Sequence, residues 1–112
     1  MEQIFVYGTL KRNYSNYRVI ERSNGVFRGE CSLPGFQLFD LGYFPGALVG
    51  NGTIHGEVFN VDSLEELDAL EGYPTFYDRM KVQTKYGQAW VYYLDSVGRS
   101  DSIISSGKWE GA

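Results

Sequence analysis

The amino-acid sequence predicts a mostly β domain of the α+β class, with a curled sheet or small barrel and one main helix. Two observations lead to this fold class. Most of the chain consists of short β-forming segments separated by Gly- and Pro-containing turns, and only one stretch carries a complete set of helix signals. The length of 112 residues fits a single domain spanning 1–112.

The N-terminal segment predicts a buried strand followed by a loop and a short helix. Residues 4–7, Ile-Phe-Val-Tyr, form a continuous apolar run with strong β character, and Gly8 breaks it. After a polar loop, Asn16 is placed to cap a short helix that carries Val19 and Ile20.

The middle of the chain predicts several short strands. Residues 26–40 alternate short apolar pieces with glycine and proline, which indicates short strands joined by tight turns. The Gly-Asn-Gly sequence at 50–52 predicts a hairpin turn, and residues 53–61 follow as another strand.

The main helix is predicted to begin at Ser63. Ser63 and Glu66 have the spacing of a capping box, and Gly72 followed by Pro74 gives the expected stop. One helical face is apolar and consists of Leu64, Leu67 and Leu70. Beyond the helix, residues 80–85 and 88–94 predict two strands joined by a turn, and Trp109 is the one large anchor of a Ser- and Gly-rich tail.

The composition excludes several classes of function. A net charge of −4 with scattered basic residues argues against a nucleic-acid partner. One cysteine and one histidine leave no disulfide, no thiolate or imidazole metal site and no catalytic triad, so we expect neither a metal nor a cofactor. No apolar run approaches the roughly 20 residues of a membrane span, and no signal pattern opens the chain. The expected compartment is the cytoplasm.

The junction at Tyr7, Gly8, Thr9 and Leu10 is a candidate anion-binding loop. A buried strand that ends in glycine turns sharply and leaves backbone N–H groups without ladder partners. Such groups can bind a carboxylate or an oxyanion, and the Thr9 hydroxyl adds a donor. An ordinary strand end explains the same pattern.

Glu71 is the candidate acid–base residue. It lies in the last turn of the main helix, where the helix dipole disfavours a negative charge, and it is followed by Tyr73 and Phe76. Burial among such residues raises the pKa of a carboxyl group, as a general acid–base catalyst requires. A solvated Glu71, or one paired with Arg79, is the alternative interpretation.

Other constellations are weaker. His55, the single histidine, lies in an alternating strand with no evident nucleophile beside it and is expected to be a surface or hydrogen-bonded strand residue. Asp62, Asp68 and Asp78 lack the spacing of metal ligands, and Gly8 is too isolated for a phosphate-binding glycine loop.

Five short motifs, in order, resemble the gamma-glutamylcyclotransferase-like family and its short gamma-glutamylamine cyclotransferase branch. They are residues 5–12 with Asn16, residues 56–59, residues 67–74 with Tyr77 and Arg79, residues 90–93, and residues 106–109. The chain departs from the family pattern at Asn13, where glycine is usual, and at Tyr17, where histidine is usual.

The resemblance implies a small mixed β-barrel with one main helix and short flanking helices. It also implies cleavage of a gamma-glutamyl amide or amine by internal attack, which releases 5-oxoproline and a free amine. Glu71 would be the general acid/base, and the backbone from Tyr7 through Gly8 and Thr9 to Leu10 would bind the substrate. Tyr77 and Tyr92 would line the cavity and orient the polar ends of the substrate. The partner is then a small gamma-glutamyl compound.

Two other classes of function remain open at this point. One is a non-catalytic domain of the same fold that sequesters a small metabolite, because a fold can keep its cavity after losing its chemistry. The other is a protein-interaction module, which a continuous exposed aromatic patch outside the cavity would favour. Neither the amine portion of the substrate nor the oligomeric state follows from the sequence.

Overall fold

The structure, a computed structural model, describes residues 1–111. These residues form six strands and two short helices. In chain order the elements are β1 (Glu2–Val6), α1 (Tyr17–Arg22), β2 (Val26–Asp40), β3 (Pro45–Val61), α2 (Glu65–Glu71), β4 (Asp78–Thr84), β5 (Gly87–Tyr93) and β6 (Ser102–Ile104).

All six strands belong to one mixed sheet in the order β4-β5-β1-β3-β2-β6. The β1–β5 pair is parallel, and the other neighbouring pairs are antiparallel. The sheet curls on itself and brings the β4–β5 turn to β2, where the Tyr86 hydroxyl donates a hydrogen bond to the Glu30 carbonyl at 3.4 Å. The result is a curled half-barrel with two helices, which confirms the predicted α+β class.

Strand β1 is buried on both faces and lies in the middle of the sheet, as its apolar run predicts. Ile4 and Val6 pack in an apolar cluster with both helices, whereas Phe5 and Tyr7 belong to a second cluster with residues of the long strands. The loop that follows β1 therefore starts from a rigid position between the two clusters.

The predicted short strands of 26–40 and the hairpin at 50–52 are wrong. Strands β2 and β3 are instead 15 and 17 residues long, and the turn between them lies at 41–44. Gly29 and Gly35 have positive φ but cause irregularities in the β2–β3 pairing rather than turns. Glycine inside a long strand commonly marks such a bulge.

Helix α2 ends as predicted but begins later. Gly72 caps its C-terminus in the left-handed conformation, with φ of 65°. The N-cap is Leu64 rather than Ser63, and it makes no side-chain cap bond. The Ser63 hydroxyl accepts a long hydrogen bond from the Glu65 N–H, and Glu66 pairs with Arg22 instead of completing a capping box.

The apolar face predicted for this helix is only partly buried. Leu67 and Leu64 lie in the core, whereas Leu70 is exposed at the edge of a cavity. With seven residues, α2 is hardly longer than the six-residue α1.

The C-terminal segment adds a short strand that the sequence pattern does not indicate. Strand β6 pairs with the end of β2, and Trp109 is buried as predicted. The backbone carbonyl of Trp109 accepts hydrogen bonds from Lys11 Nζ at 2.8 Å and the Tyr14 hydroxyl at 3.0 Å. The tail thereby fixes the back of the loop that follows β1. Among the described residues, no helix has the length and apolar content needed to cross a bilayer.

Gly56 allows β3 to pass close to β1 immediately before the candidate anion-binding loop. A Cβ at this position would overlap the Val6 carbonyl oxygen and lie 2.8 Å from the Phe5 ring. Neither neighbour can move freely, because one is backbone and the other is a core side chain.

We therefore expect Gly56→Ala to lower the free energy of unfolding by about 1–3 kcal/mol, the usual cost of overpacking a core. Urea denaturation measures it. Gly50→Ala is the matched control in the same strand, because its Cβ would meet only the flexible Gln37 side chain at 3.0 Å. Equal losses in the two variants would contradict this explanation.

Candidate functional site

A cavity of about 230 Å³ opens where the loop after β1, the C-terminal end of α2 and the start of β3 meet. It is lined by Phe5, Val6, Tyr7, Gly8, Thr9, Leu10, Asn16, Phe44, Pro45, Leu70, Glu71, Phe76, Tyr77 and Tyr92. The structure thus brings all seven sequence-predicted site residues to one cavity, although they come from three separate parts of the chain.

The loop after β1 is held by two backbone bonds that leave a row of donors free. The Gly8 carbonyl accepts from the Lys11 N–H at 3.1 Å, and the Thr9 carbonyl accepts from the Asn16 N–H at 2.9 Å. Among the described residues, no protein acceptor receives the backbone N–H of Gly8, Thr9 or Leu10. These groups can bind an anion in the cavity.

Gly8 and Asn16 shape this row of donors. A Cβ on Gly8 would come within 2.8 Å of the Pro45 ring, so a larger residue would push the loop away from β3. The Asn16 side-chain amide donates to the Thr9 hydroxyl oxygen at 2.9 Å. The Thr9 hydroxyl proton is then directed elsewhere and is available to a bound ligand.

Glu71 is the last residue of α2 and is half-buried against the cavity. Burial raises the pKa of its carboxyl group to about 7. Within residues 1–111, no group donates a hydrogen bond to its side chain and no cation forms an ion pair with it. The alternative in which Glu71 pairs with Arg79 is therefore wrong.

Three tyrosines surround the same space, and their hydroxyl protons are used within the protein. Tyr7 donates to the Tyr92 carbonyl at 2.8 Å and accepts from the Ala47 N–H at 3.1 Å. Tyr77 donates to the Pro45 carbonyl, and Tyr92 donates to Asp68 Oδ1 at 2.7 Å. Tyr77 and Tyr92 line the cavity, as the resemblance implies, but their hydroxyl protons are donated to protein acceptors.

Burial raises the pKa of all three tyrosines, and the negative charge of Glu71 raises each further. The charge of Glu71 therefore acts on all three hydroxyl groups. The phenols stay protonated around physiological pH, so Glu71 is the group of this cavity whose charge changes near neutrality.

Arg79 pairs with Asp68 instead of Glu71. Its Nε and a terminal nitrogen lie 2.9 and 3.2 Å from the two oxygens of Asp68, a bidentate arrangement. The guanidinium also lies over the rings of Tyr73 and Trp90, 4.2 and 4.4 Å from their centroids. This contact joins α2 to β4 and β5 beside the cavity.

The sequence reasoning missed part of the cavity wall. Asn16 was expected to cap α1 and does stand at its N-cap position, but its side chain makes no cap bond and holds Thr9 instead. Phe44, Leu70 and Phe76 line the cavity with 36%, 42% and 51% of their surface exposed, so the mouth is apolar. The available signal in the sequence was the presence of aromatic residues in the proline-containing segments 43–46 and 73–76.

Two positions depart from the pattern of the resembling family. Asn13 has φ of 72°, a conformation that suits glycine and that asparagine tolerates better than most residues. Tyr17 packs on Phe59 with 5.9 Å between ring centroids and lies outside the cavity lining.

His55 is hydrogen-bonded within the sheet, as expected. Its Nδ1 lies 2.9 Å from the Ser32 hydroxyl, because β2 and β3 pair these residues directly. Neither residue lines the cavity. Among the described residues, no group of three or more His, Cys, Asp or Glu side chains could hold a metal ion.

Comparison with protein families gives one match over nearly the whole chain. The model of the family described as gamma-glutamyl cyclotransferase, AIG2-like, matches residues 4–111. The Escherichia coli K12 protein YtfP, named a gamma-glutamylcyclotransferase family protein, is 41% identical over 109 residues, covering 96% of this chain and 95% of YtfP. The gamma-glutamylaminecyclotransferase of Rattus norvegicus is 40% identical over 96 residues, covering 76% of this chain and 64% of that protein.

Solved structures agree with this match. The solution structure of E. coli YtfP superposes with a TM-score of 0.79 at 40% identity, covering 96% of this chain and 95% of YtfP. The crystal structure of an uncharacterised protein from Pyrococcus horikoshii gives a TM-score of 0.81 at 31% identity, covering 96% and 89% of the two chains. This chain belongs to the gamma-glutamyl cyclotransferase, AIG2-like family of enzymes.

Proposed function

We propose that this enzyme cleaves a gamma-glutamyl amide or amine into 5-oxoproline and a free amine, with Glu71 as the general acid/base. The observation that carries the proposal is a carboxyl group that has no ion-pair partner within residues 1–111, has a pKa raised to about 7, and lies on the wall of a cavity that also holds free backbone donors. The name of the rat relative, gamma-glutamylaminecyclotransferase, supports the substrate class.

The reaction suits a site built this way. The α-amine of the substrate attacks its own γ-carbonyl carbon, a C–N bond forms to close the five-membered ring, and the amide C–N bond breaks. Glu71 accepts a proton from the attacking nitrogen and returns one to the leaving nitrogen. A carboxyl group with a pKa near 7 can do both around neutral pH. The reacting groups belong to one molecule, so folding the substrate correctly supplies much of the rate.

The loop after β1 can stabilise the negatively charged groups of the substrate. The free N–H groups of Gly8, Thr9 and Leu10, with the Thr9 hydroxyl, can bind the α-carboxylate and the oxyanion that develops on the γ-carbonyl oxygen. The rings of Tyr77 and Tyr92, which line the cavity, can enclose the aliphatic chain of the glutamyl group.

The residues at the mouth of the cavity indicate which amine portion of the substrate fits there. Phe44 and Phe76 make an edge-to-face contact there, with 6.0 Å between centroids. Among the fourteen lining residues, Glu71 is the only one with an ionisable carboxyl or basic group. We therefore propose that amides of apolar amines fit the mouth better than amides whose leaving group carries a carboxylate.

We expect Glu71→Gln to abolish formation of 5-oxoproline from gamma-glutamyl amides while leaving the fold intact. The loss should be at least about 100-fold, because the amide cannot exchange the proton. Chromatographic detection of 5-oxoproline measures the rate, and circular dichroism checks the fold. Glu65→Gln is the matched control, because Glu65 is exposed at the opposite end of the same helix.

Product from Glu71→Gln at the wild-type rate would remove Glu71 from its role. A wild-type enzyme that binds gamma-glutamyl amides but forms no 5-oxoproline would favour the alternative of a non-catalytic metabolite-binding domain.

The rate should depend on pH through the ionisation of Glu71. The carboxylate is the base, so kcat/KM rises as the pH increases through about 7 and falls tenfold per unit well below it. Initial rates between pH 5 and 8.5 measure this limb. An acid limb near pH 4.5, the value of an ordinary Glu, would contradict the assignment.

Glu71 should also make the wild type less stable at alkaline pH. Its pKa is raised in the folded state, so the folded protein binds more protons between pH 4.5 and 7 and loses stability as the pH rises through that interval. We expect Glu71→Gln to be more stable than wild type by about 1–3 kcal/mol at pH 8, with the difference shrinking toward pH 4.5. Denaturant unfolding at several pH values measures it, and a pH-independent difference would count against a buried carboxylate.

A further inference from the structure

We propose that Asp68 is a positioning residue that holds the Arg79 guanidinium away from Glu71 and so preserves the uncharged surroundings of the base. The role of Glu71 as base rests on the proposed function, whereas the separation of the charges can be measured without substrate. The proposal starts from the contrast between two carboxylates of one helix.

Asp68 and Glu71 stand three residues apart on α2, a spacing that puts two side chains on neighbouring parts of one helical face. Their surroundings differ completely. Asp68 accepts hydrogen bonds from Arg79 and from the Tyr92 hydroxyl, whereas Glu71 accepts none from the described residues. Asp68 binds the cation, and Glu71 has no ion pair in the described part of the chain.

All three charges act on the Tyr92 hydroxyl. Burial raises the pKa of Tyr92, the negative charges of Asp68 and Glu71 raise it further, and the positive charge of Arg79 opposes them. Arg79 thus acts on a residue that lines the cavity, and we infer that its long side chain can turn toward Glu71 once Asp68 no longer holds it. An ion pair with Glu71 would lower the pKa of the base by one to three units.

Several contacts fix Arg79 on Asp68. The pair is bidentate, and the guanidinium lies over both the Tyr73 and the Trp90 rings. The Tyr92 hydroxyl donates a further hydrogen bond to Asp68 Oδ1, the oxygen that also accepts from Arg79 Nε. Lysine would not reproduce this arrangement, because it lacks a planar fork of donors.

The other titratable groups near Glu71 are neutral tyrosines. They come from every element that faces it and are Tyr7 after β1, Tyr77 before β4 and Tyr92 on β5. Asp68 on α2 and Arg79 on β4 are the charged groups that act on Tyr92 together with Glu71, and they pair with each other. Removal of either one should expose Glu71 to the other.

The test is a double-mutant cycle read by carbon-13 NMR titration of the Glu71 carboxyl carbon in the free protein, assigned by its loss in Glu71→Gln. In Asp68→Asn the midpoint should fall by about one unit or more, because Arg79 is released beside Glu71. In Arg79→Met it should rise, because an unpaired Asp68 repels the carboxylate. In the double variant it should return to within about half a unit of wild type.

Glu66→Gln is the matched control, since it breaks an exposed ion pair with Arg22 on the outer side of the same helix and should leave the midpoint unchanged. The acid limb of kcat/KM should move with the midpoint in each active variant. If the role of Asp68 were purely structural, Asp68→Asn would lower kcat but would shift neither the NMR midpoint of Glu71 nor the acid limb of kcat/KM.

An unchanged midpoint in Asp68→Asn, or a double variant that does not return toward wild type, would overturn the proposal. If Asp68→Asn fails to fold, Arg79→Met becomes the deciding variant. A Glu71 midpoint that does not rise in Arg79→Met would then overturn the proposal. An inactive wild type with the expected shifts would instead count against the proposed cyclotransferase activity.

Discussion

The arrangement of the site depends on the two hydrogen bonds that the Tyr7 hydroxyl makes. The hydroxyl joins three separate strands, because Tyr7 follows β1, its donor bond goes to the Tyr92 carbonyl of β5, and its acceptor bond comes from the Ala47 N–H of β3. The side chain is almost fully buried, so both bonds form where water cannot replace them. The loop that carries the free N–H groups therefore starts from a fixed point, and the donors keep their direction before any substrate arrives.

Glu71 faces this point from α2 and has a cost in folding stability. A carboxylate at the C-terminal end of a helix, half-buried and without a cation, opposes stability at neutral pH. The same isolation gives the group a pKa near 7, which an acid–base catalyst needs. The surrounding hydrogen bonds, including the bidentate Asp68–Arg79 pair, hold the helix in place despite this cost.

The parts of the fold that local chemistry dictates were predictable from the sequence. The buried strand β1, the glycine stop of α2 and the position of Glu71 each follow from a few neighbouring residues. The length of β2 and β3 was not predictable in this way, because a glycine at position 29 or 35 signals a turn or a bulge equally well. Only the partner strand decides between them.

The site shows the same division. Tyr7, Thr9 and Glu71 were identified from local patterns and the family resemblance, and the structure brings them to one cavity. The bond from Asn16 to Thr9 and the pair formed by Asp68 and Arg79 join residues that are separated by a turn or by a whole loop. Sequence spacing gives no measure of such a distance, and so these supporting contacts required coordinates.

The two outer strands of the sheet have a consequence for behaviour at high concentration. An unpaired strand edge is a template on which another chain can add, which is how many β proteins begin to aggregate. On one side β6 pairs only with residues 38–40 of β2, and the rest of that edge is interrupted by irregularities at Gly29 and Gly35; the other edge is β4, which carries the exposed Lys81. Irregular strand geometry protects the first edge and charge protects the second, so we expect neither edge to add a second copy of the chain readily.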